Sequence, residues 1–407
     1  MEEEVVIVGA GIGGLATAVA LKRVGIKAVV LERAAELRAI GAALTLFPNA
    51  WLALDALGIA DKLTPLYAPI ENGFVTDVKT KSTQQFMLFA PSKRGGPRPV
   101  NRKILLQALA DELPPSTIRF SSKLNSIESQ VEDGHRISVL GLEDGAIIKA
   151  KVVIGCDGVH SMIARRLKLR PPVHSGRSAA RGLSVYPEGH RLGRTVQQFV
   201  DVSKRAAFVP LNDNEIYWFF VCKTPTKGED IGSDPKLIQK EVTEKWARDF
   251  PMSYLEVVQQ SDLSTLSWAP LVFRYPWDIV LGNLNATNIT VVGDAMHPTT
   301  PDLGQGGCMA LEDAVVLGRH MGNSIGPDGK LRLEDVGQAL RKYVRERRWR
   351  TAWIIAASFL SGWIQQDGSG WWMKFLRDVF YKTILTKLMN IAYYDCGRLP
   401  NKMGTSK

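Results

Sequence analysis

A glycine-rich turn between two apolar runs constrains the fold of this chain more than any other feature. Residues 5–32 read VVIVGAGIGGLATAVALKRVGIKAVVLE. Residues 5–8 are apolar without polar alternation, which is typical of a strand buried on both faces of a parallel sheet. An apolar helical stretch follows, ends near Gly25 and leads into a second apolar run at residues 27–31. The segment therefore predicts a strand, a helix and a second parallel strand.

The spacing of the glycines predicts a bound dinucleotide. Gly9, Gly11 and Gly14 follow the G-x-G-x-x-G pattern. Gly9 allows the tight turn, Gly11 lets a pyrophosphate approach the backbone, and Gly14 lets the helix lie close to the sheet. Glu32 ends the second strand, where a carboxylate accepts hydrogen bonds from ribose hydroxyls. A glycine loop without a ligand is the alternative, and this stretch does not distinguish FAD from NAD(P).

Composition narrows the class of protein. At 407 residues and 45% hydrophobic residues, the chain can form two domains or one large interleaved domain. It contains no apolar run of membrane-spanning length and no N-terminal signal pattern, so we expect a cytoplasmic protein. Four scattered cysteines and six unclustered histidines predict reduced thiols and no metal site.

The net charge of +10 raises the question of an anionic partner. The densest basic run, RKYVRERRWR at residues 341–350, has helical spacing and is most simply a solvated helix face. No aromatic and basic recognition motif accompanies it, so we expect no nucleic-acid partner. A basic surface attracts anionic NADPH or acidic lipid headgroups instead.

The predicted secondary-structure pattern changes twice in the rest of the chain. A helix is predicted at residues 99–113 and a β-meander at 119–153, followed by three antiparallel strands at 195–222. The buried-strand pattern returns at 289–295, and residues from 304 onward are mostly helical. This order predicts an α/β nucleotide-binding domain interrupted by an antiparallel-sheet domain. The predicted division is 1–73, 98–171 and 266–335 for the nucleotide domain, 74–97 and 172–265 for the substrate domain, and 336–407 for a C-terminal helical region.

Two further segments repeat the strand-then-turn pattern. In VVIGCDGVHSMIARRL, Asp157 follows a buried strand and Gly158 turns the chain into a helix. In VVGDAMHPTTPDLGQGGCMALEDA, Asp294 ends a strand and a proline-bounded loop leads to residues 304–307 at a helix N-terminus. Ligands of open α/β sheets gather beyond the carboxyl ends of strands. The amides of 304–307 face an electron-rich group, for which the pyrimidine edge of a reduced flavin is suited.

These three motifs together resemble the FAD-dependent monooxygenases of the aromatic-hydroxylase class. Within it the chain is similar to plant monooxygenases related to zeaxanthin epoxidase and to bacterial urate and salicylate hydroxylases, from residue 5 to about residue 360. The resemblance implies a Rossmann-like FAD domain of the glutathione-reductase type, an inserted substrate domain and a C-terminal helical region. It also implies that NADPH or NADH reduces the flavin, which then transfers oxygen from O2 to a substrate through a 4a-hydroperoxide.

The same resemblance implies particular flavin contacts. The glycines and Glu32 hold the ADP part, Arg102 reaches the ribityl or phosphate region, Asp294 binds the ribityl chain, and residues 304–307 face the isoalloxazine. Position 302 is often Asn in relatives and is Asp302 here, which alters polarity beside the ring. The full predicted set for the cofactor is Gly9, Gly11, Gly13, Gly14, Glu32, Arg33, Arg102, Asp157, Asp294, Pro301, Gly304, Gln305, Gly306 and Gly307.

The substrate side needs an apolar pocket, because water must be kept from the reacting flavin. In EIYWFFVC, alternation sends Tyr217 and Phe219 to one face of a strand, either to line the pocket or as ordinary sheet core. Pro298 and Pro301 rigidify the loop beside the ring. Asn49 either faces the site or caps the helix that follows it. The predicted pocket residues are Asn49, Tyr217, Phe219 and Pro298.

The two candidate catalytic residues are His297 and Pro301. His297 lies in a loop whose main task is backbone placement, so a structural role is the alternative to acid/base work.

The residues near the C-terminus add one question about partners. Residues 358–394 carry several tryptophans and phenylalanines interspersed with lysines, and they either lie in a membrane interface or pack on the body of the protein. We expect a monomer or a dimer.

Three functions remain compatible with these motifs. The leading hypothesis is an NAD(P)H-dependent FAD monooxygenase that hydroxylates or epoxidises a hydrophobic or aromatic small molecule with O2. A flavin reductase or dehydrogenase without oxygen insertion and a non-catalytic flavin-binding protein are the alternatives. Kinship at this level does not identify the substrate.

Overall fold

The computed structural model describes residues 1–37, 42–86, 96–224, 234–366 and 390–400. In this part of the chain, two seven-stranded sheets and a two-stranded sheet are surrounded by helices. The strands are β1 (Glu2–Val8), β2 (Ala28–Leu31), β3 (Ala43–Leu46), β4 (Asn72–Asp77), β5 (Thr83–Phe86), β6 (Arg98–Asn101), β7 (Ile118–Arg119), β8 (Leu124–Glu132), β9 (His135–Leu142), β10 (Ile147–Gly155), β11 (Val173–Val185), β12 (Thr195–Asp201), β13 (Lys204–Pro210), β14 (Glu215–Lys223), β15 (Ser267–Phe273) and β16 (Ile289–Val291).

The α-helices differ widely in length, from single turns to one of 34 residues. They are α1 (Ile12–Arg23), α2 (Pro48–Ala56), α3 (Ala60–Leu63), α4 (Arg102–Ala110), α5 (Met162–Arg166), α6 (Pro235–Lys240), α7 (Met252–Gln259), α8 (Pro276–Leu281), α9 (Gly306–Gly322) and α10 (Leu333–Gln366). A π-helical turn, Glu241–Trp246, follows α6, and short 3-10 turns join several elements.

The first sheet has the Rossmann-like form that the sequence predicts. Its order is β7-β2-β1-β10-β9-β8, with β16 paired to β10. Strands β2, β1, β10 and β16 are parallel to one another, and β10, β9 and β8 form the predicted antiparallel meander. Val5, Val6 and Ile7 are fully buried, as expected for a central strand that is covered on both faces.

The second sheet is the predicted antiparallel insertion. Its order is β15-β11-β14-β13-β12-β4-β5, in which β12 and β4 are the parallel pair. One face packs on α7 and its neighbours through Trp218, Phe220 and Tyr254, which are fully buried. On the opposite face, Leu183 and Tyr217 pack with Ala42 and Ala43. Strand β15 pairs with β11 in this sheet, although the sequence division assigns residues from 266 onward to the nucleotide domain.

Two local predictions need correction. The helix predicted at 99–113 is α4, and it starts only at Arg102, because Arg98–Asn101 pairs with β3 as strand β6. The side chain of Asn101 caps α4 by accepting from the amide of Lys103 at 3.0 Å. Asn49 does not cap α2: the N-cap is Phe47, and no side chain caps that helix.

The C-terminal region contains one long helix in its described part. Helix α10 packs against α8 and α9 along its inner face, where Leu340, Tyr343 and Ile355 are fully buried. Residues 367–389 of the predicted helical region lie outside the described residues. Among the described helices, none combines the length and the apolar character that crossing a membrane requires.

Candidate active site

Four parallel strands end in line, and the predicted cofactor residues follow their ends. Val8 is in register with Leu31 of β2 and with Gly155 of β10, and Gly155 is in register with Val291 of β16. The loops that begin at Gly9, Glu32, Cys156 and Val292 therefore lie side by side along one edge of the sheet. This edge is where open parallel sheets bind their ligands.

Two of the three motif glycines show a direct geometric requirement for glycine. Gly9 has φ +104°, and a Cβ there would lie 2.5 Å from the carbonyl oxygen of Cys156. A Cβ at Gly14 would lie 1.9 Å from the carbonyl oxygen of Gly9, so only glycine permits this contact between helix and turn. A Cβ at Gly11 meets nothing within 4 Å. The protein therefore leaves open space beside the Gly11 backbone at the start of α1.

Glu32 and Arg33 lie at the end of β2. The Glu32 carboxylate accepts from the amides of Ala10 and Ala34 at 2.9 and 2.8 Å, which fixes its position beside the glycine turn. Its side chain is half-buried, whereas Arg33 is exposed. Gly13 lies on the side of α1 that faces Val292 and Ala310, so its lack of a side chain serves contact with α9.

Asp157 organises the turn after β10. Its carboxylate accepts from Ser161 Oγ at 2.5 Å and from the amide of Met162 at 2.6 Å, at the start of α5. Burial raises the pKa of Asp157, while these hydrogen bonds act in the opposite direction. The side chain is thereby held inside its own turn and shapes the strand-to-helix connection.

Two predicted cofactor residues that are far apart in the sequence, Arg102 and Asp294, interact electrostatically in the fold. Burial lowers the pKa of Arg102, the negative charge of Asp294 opposes that shift, and the positive charge of Arg181 adds to it. The Arg102 Nε is buried without a hydrogen-bonding partner among the described residues. Burial also raises the pKa of Tyr217, and the positive charges of Arg181 and Arg102 lower it. Arg181 and Tyr217 of the second sheet therefore interact electrostatically with Arg102.

The buried carboxylate of Asp313 fixes the conformation of the loop from Gly293 to Gln305. Asp313 of α9 accepts from the Gly293 amide at 2.9 Å and lies 2.5 Å from His297 Nε2, and Arg347 Nε contacts it at 2.6 Å. Burial raises the pKa of Asp313, but His297 and Arg347 together lower it to about 2. His297 is fully buried, and this position favours the structural interpretation over acid/base work.

Two other contacts hold the same loop. Arg274 donates from Nη1 to the carbonyl of Ala295 at 2.9 Å, and its own amide donates to the carbonyl of Pro298 at 3.1 Å. Ser358 of α10 donates to the carbonyl of Thr300 at 2.7 Å. The rigidity that the two prolines predict is therefore supplied largely by side chains from other elements.

Asp302 joins the loop to the second sheet. Arg177 of β11 donates to its two carboxylate oxygens at 3.0 and 2.7 Å, and Arg205 of β13 contacts it at 3.3 Å. The Asp302 side chain is 1% exposed. A carboxylate instead of asparagine here thus forms a buried ion pair with two arginines.

Asn49 lies beneath the start of α9. Its amide nitrogen donates to Gln305 Oε1 at 2.9 Å and to Glu312 Oε1 at 2.5 Å. Glu312 is fully buried and also binds Arg347 and Arg350. Within the described residues, Asn49 Oδ1 and Gln305 Nε2 are buried without a partner. Asn49 thus supports the turn that presents Gln305, and two polar atoms remain unmatched there.

Tyr217 and Phe219 occupy the face of the second sheet that the alternation predicts. Both are half-buried, whereas Trp218 and Phe220 lie in the core on the opposite face. The Arg205 guanidinium lies 5.3 Å from the Phe219 ring centroid, which places Phe219 beside the Asp302 ion pair. Along the loop, Pro301, Gly304, Gly306 and Gly307 remain partly accessible, while Pro298 is buried.

Several residues of this site escape the sequence analysis. Arg274, Asp313 and Arg347 act through contacts between distant segments, and no local pattern identifies them. Arg177 and Arg181 carry a weak signal, since their spacing of four places both on one strand face. Neither a metal-binding group of three His, Cys, Asp or Glu side chains nor a disulfide is found in the described residues, and all four cysteines are free.

Comparison with known proteins gives consistent matches over most of the chain. The family model described as FAD binding domain matches residues 2–356. Monooxygenase 2 of Arabidopsis thaliana is 39% identical over 98% of this chain and 100% of its own length. A FAD-dependent urate hydroxylase of Klebsiella pneumoniae is 30% identical over 77% of this chain and 80% of its own length. Klebsiella pneumoniae HpxO complexed with FAD and uric acid superimposes with a TM-score of 0.80 and 25% identity, over 98% of both chains.

Proposed function

Because this chain belongs to the FAD-binding-domain family of flavin-dependent monooxygenases, we propose that it inserts one oxygen atom from O2 into a hydrophobic or aromatic small molecule. NADPH or NADH is the electron donor in this proposal. The enzyme class of the protein follows from its family, while the substrate class and the residue roles below are inferred from the site. Either hydroxylation or epoxidation satisfies this chemistry.

The open space beside Gly11 is the main evidence that the predicted residues bind the ADP part of FAD. A pyrophosphate at this position would accept hydrogen bonds from the backbone amides at the start of α1, where the helix dipole favours an anion. Glu32 is already fixed next to that turn and would accept from the ribose hydroxyls. Arg102 has an unmatched buried Nε, and Asp294 is exposed without a hydrogen-bonding partner among the described residues. These features fit the ADP and ribityl parts of FAD.

The loop and the start of α9 fit the flavin ring. Bound FAD supplies the redox chemistry, accepting reducing equivalents from the nicotinamide and activating O2. Gly306 and Gly307 keep their backbone accessible, so their amides would donate to the electron-rich edge of the ring, whereas the Gly304 amide already donates to the carbonyl of Pro301 at 3.0 Å. Asn49 and Gln305 keep unmatched polar atoms next to these amides. The contacts from Asp313, Arg274 and Ser358 hold the loop in place before any ligand binds.

The face of the second sheet would form the substrate side of the pocket. Tyr217 and Phe219 present apolar surface and exclude water from the reaction. Arg181 lies on the same face, because residues 177, 179, 181 and 183 of β11 alternate away from the buried Ala180. Arg177 and Arg205 share Asp302, whereas Arg181 has no carboxylate partner among the described residues. We propose that Arg181 donates to a polar group on an otherwise apolar substrate.

Oxygen incorporation separates this function from its alternatives. The relatives favour a monooxygenase over a reductase or a non-catalytic flavoprotein of the same fold. The experiment incubates the FAD-loaded enzyme with NADPH, a library of aromatic and terpenoid metabolites, and isotopically labelled O2. A product that carries one labelled oxygen atom supports the proposal. NADPH oxidation that yields only unlabelled product would instead identify a reductase, and an unreduced flavin would identify a non-catalytic protein.

A further inference from the structure

The outer face of α10 carries a row of large apolar side chains. Trp349, Trp353, Leu360 and Trp363 are 69, 60, 49 and 41% exposed. At 3.6 residues per turn these four positions fall within an arc of about 80° and extend over roughly 20 Å of helix. We call these four residues the tryptophan stripe. Exposed apolar residues are ordinary when scattered singly, but a continuous row marks an interaction surface.

The same helix face is basic toward its N-terminus. Arg341, Lys342 and Arg345 are exposed and precede the tryptophan stripe by one to two turns. Glu346 is the one acidic residue of α10 after Asp335, and it is half-buried, where it accepts from Arg319 and His320. From Arg341 onward the exposed charged side chains of α10 are therefore cationic, whereas Glu334 in its first turn is an exposed acid; the net charge of the chain is +10.

The inner face of the same turns contacts the candidate active site. Ser358 binds the carbonyl of Thr300, and Gln365 accepts from Arg205 at 2.9 Å. A Cβ at Gly362 would lie 2.4 Å from Asp302 Oδ2, so the helix backbone passes directly beside the buried ion pair. One helix wall thus separates the tryptophan stripe from the loop that flanks the flavin site.

We propose that the tryptophan stripe binds the surface of a membrane that contains anionic lipids. Indole side chains favour the boundary between headgroups and acyl chains, which suits the three tryptophans. The three exposed cations beside them would lie at the level of the anionic headgroups. A second copy of the chain is the competing occupant, but it would bring two basic faces together. Charge complementarity therefore favours the lipid surface.

Vesicle binding by the complete, FAD-loaded protein tests this proposal. Vesicles of phosphatidylcholine with about 30% phosphatidylglycerol are sedimented with the protein, next to vesicles of pure phosphatidylcholine. We expect binding to the anionic vesicles and at least a tenfold weaker partition to the neutral ones. Trp349→Ser combined with Trp353→Ser lowers the partition about tenfold or more, since each substitution removes a large interfacial contact. Lys342→Glu with Arg345→Glu lowers it to a similar extent and makes the remaining binding less sensitive to salt.

A matched control distinguishes vesicle binding by the tryptophan stripe from nonspecific adsorption through other exposed apolar side chains. Leu66 and Met252 are 53 and 65% exposed and lie outside α10. Leu66→Ser combined with Met252→Ser leaves vesicle binding unchanged. The flavin absorbance spectrum and the melting temperature of each variant establish that it is folded.

Three results would overturn the proposal. The first is no binding of the folded wild type to anionic vesicles, and the second is equal binding by the folded double tryptophan variant. The third is a concentration-dependent dimer in light scattering that the tryptophan substitutions dissociate, which would assign the stripe to a second copy of the chain.

Discussion

Removing the negative charge of Asp302 tests how the second sheet is attached to the loop from Gly293 to Gln305. The carboxylate is 1% exposed, and the side chains of Arg177 and Arg205 that it binds are 11 and 6% exposed. Asp302→Asn keeps one acceptor oxygen and replaces the other with a donor that faces a guanidinium. Breaking a buried ion pair by changing one partner costs about 3–5 kcal/mol, and the retained acceptor reduces that cost. We expect a loss of about 3 kcal/mol in the free energy of unfolding.

The measurement is urea unfolding followed by tryptophan fluorescence, at the same saturating FAD concentration for every variant. Asp55→Asn is the matched control, because Asp55 binds Arg398 at 2.9 Å on the surface, with side chains 49 and 80% exposed. An exposed pair contributes about 0–1 kcal/mol, so this control remains close to the wild type. If both variants unfold at the same urea concentration, the buried pair does not attach the sheet to the loop, and the argument fails.

Four other changes test separate parts of the site. Gly11→Ala weakens FAD binding at least tenfold, or about 1.4 kcal/mol, in a fluorescence titration, because its methyl group fills the proposed pyrophosphate space, while the protein without FAD stays folded. Gly14→Ala destabilises the protein itself, since its Cβ would lie 1.9 Å from the Gly9 carbonyl oxygen. The Asp313 pKa of about 2 lies below the ordinary 3.8, so Asp313 stabilises the fold above about pH 4 and loses this effect as pH falls toward 2; Asp313→Asn flattens that part of the stability profile. Phe219→Ser admits water and raises the fraction of NADPH oxidation that yields hydrogen peroxide, measured against product.

The parts of the fold that sequence predicts are those set by local pattern. The β1-α1-β2 unit follows from an apolar run, a glycine spacing and a terminal acid, all within residues 5–32. Strand β14 follows from alternation, and its two faces are those expected. Helix α4 shows the limit of local pattern. Residues 99–101 directly precede a helical sequence pattern, but their pairing with β3 makes them part of a strand. Tertiary contact overrides propensity there.

The support of the site could not be predicted, because its residues meet only in the folded chain. Arg177 is 125 positions away from Asp302, and Arg347 is 34 positions away from Asp313. Each arginine alone reads as a surface cation. The one local sign is Asp302 itself, an acidic residue in the proline-bounded loop. That sign predicts altered polarity, but only the fold identifies the two arginines that compensate the charge.

Helix α10 connects these separate features of the molecule. Through Arg347 it reaches Asp313 beneath the loop, and through Ser358 and Gln365 it reaches Thr300 and Arg205. A shift of the helix by a fraction of an ångström would disturb all of these contacts at once, because buried ion pairs depend steeply on geometry. The outer side of the same helix is the tryptophan stripe. A membrane bound there would thus act on the helix beside the proposed pocket, and if the substrates are apolar as proposed, this would link the lipid phase physically to the flavin site.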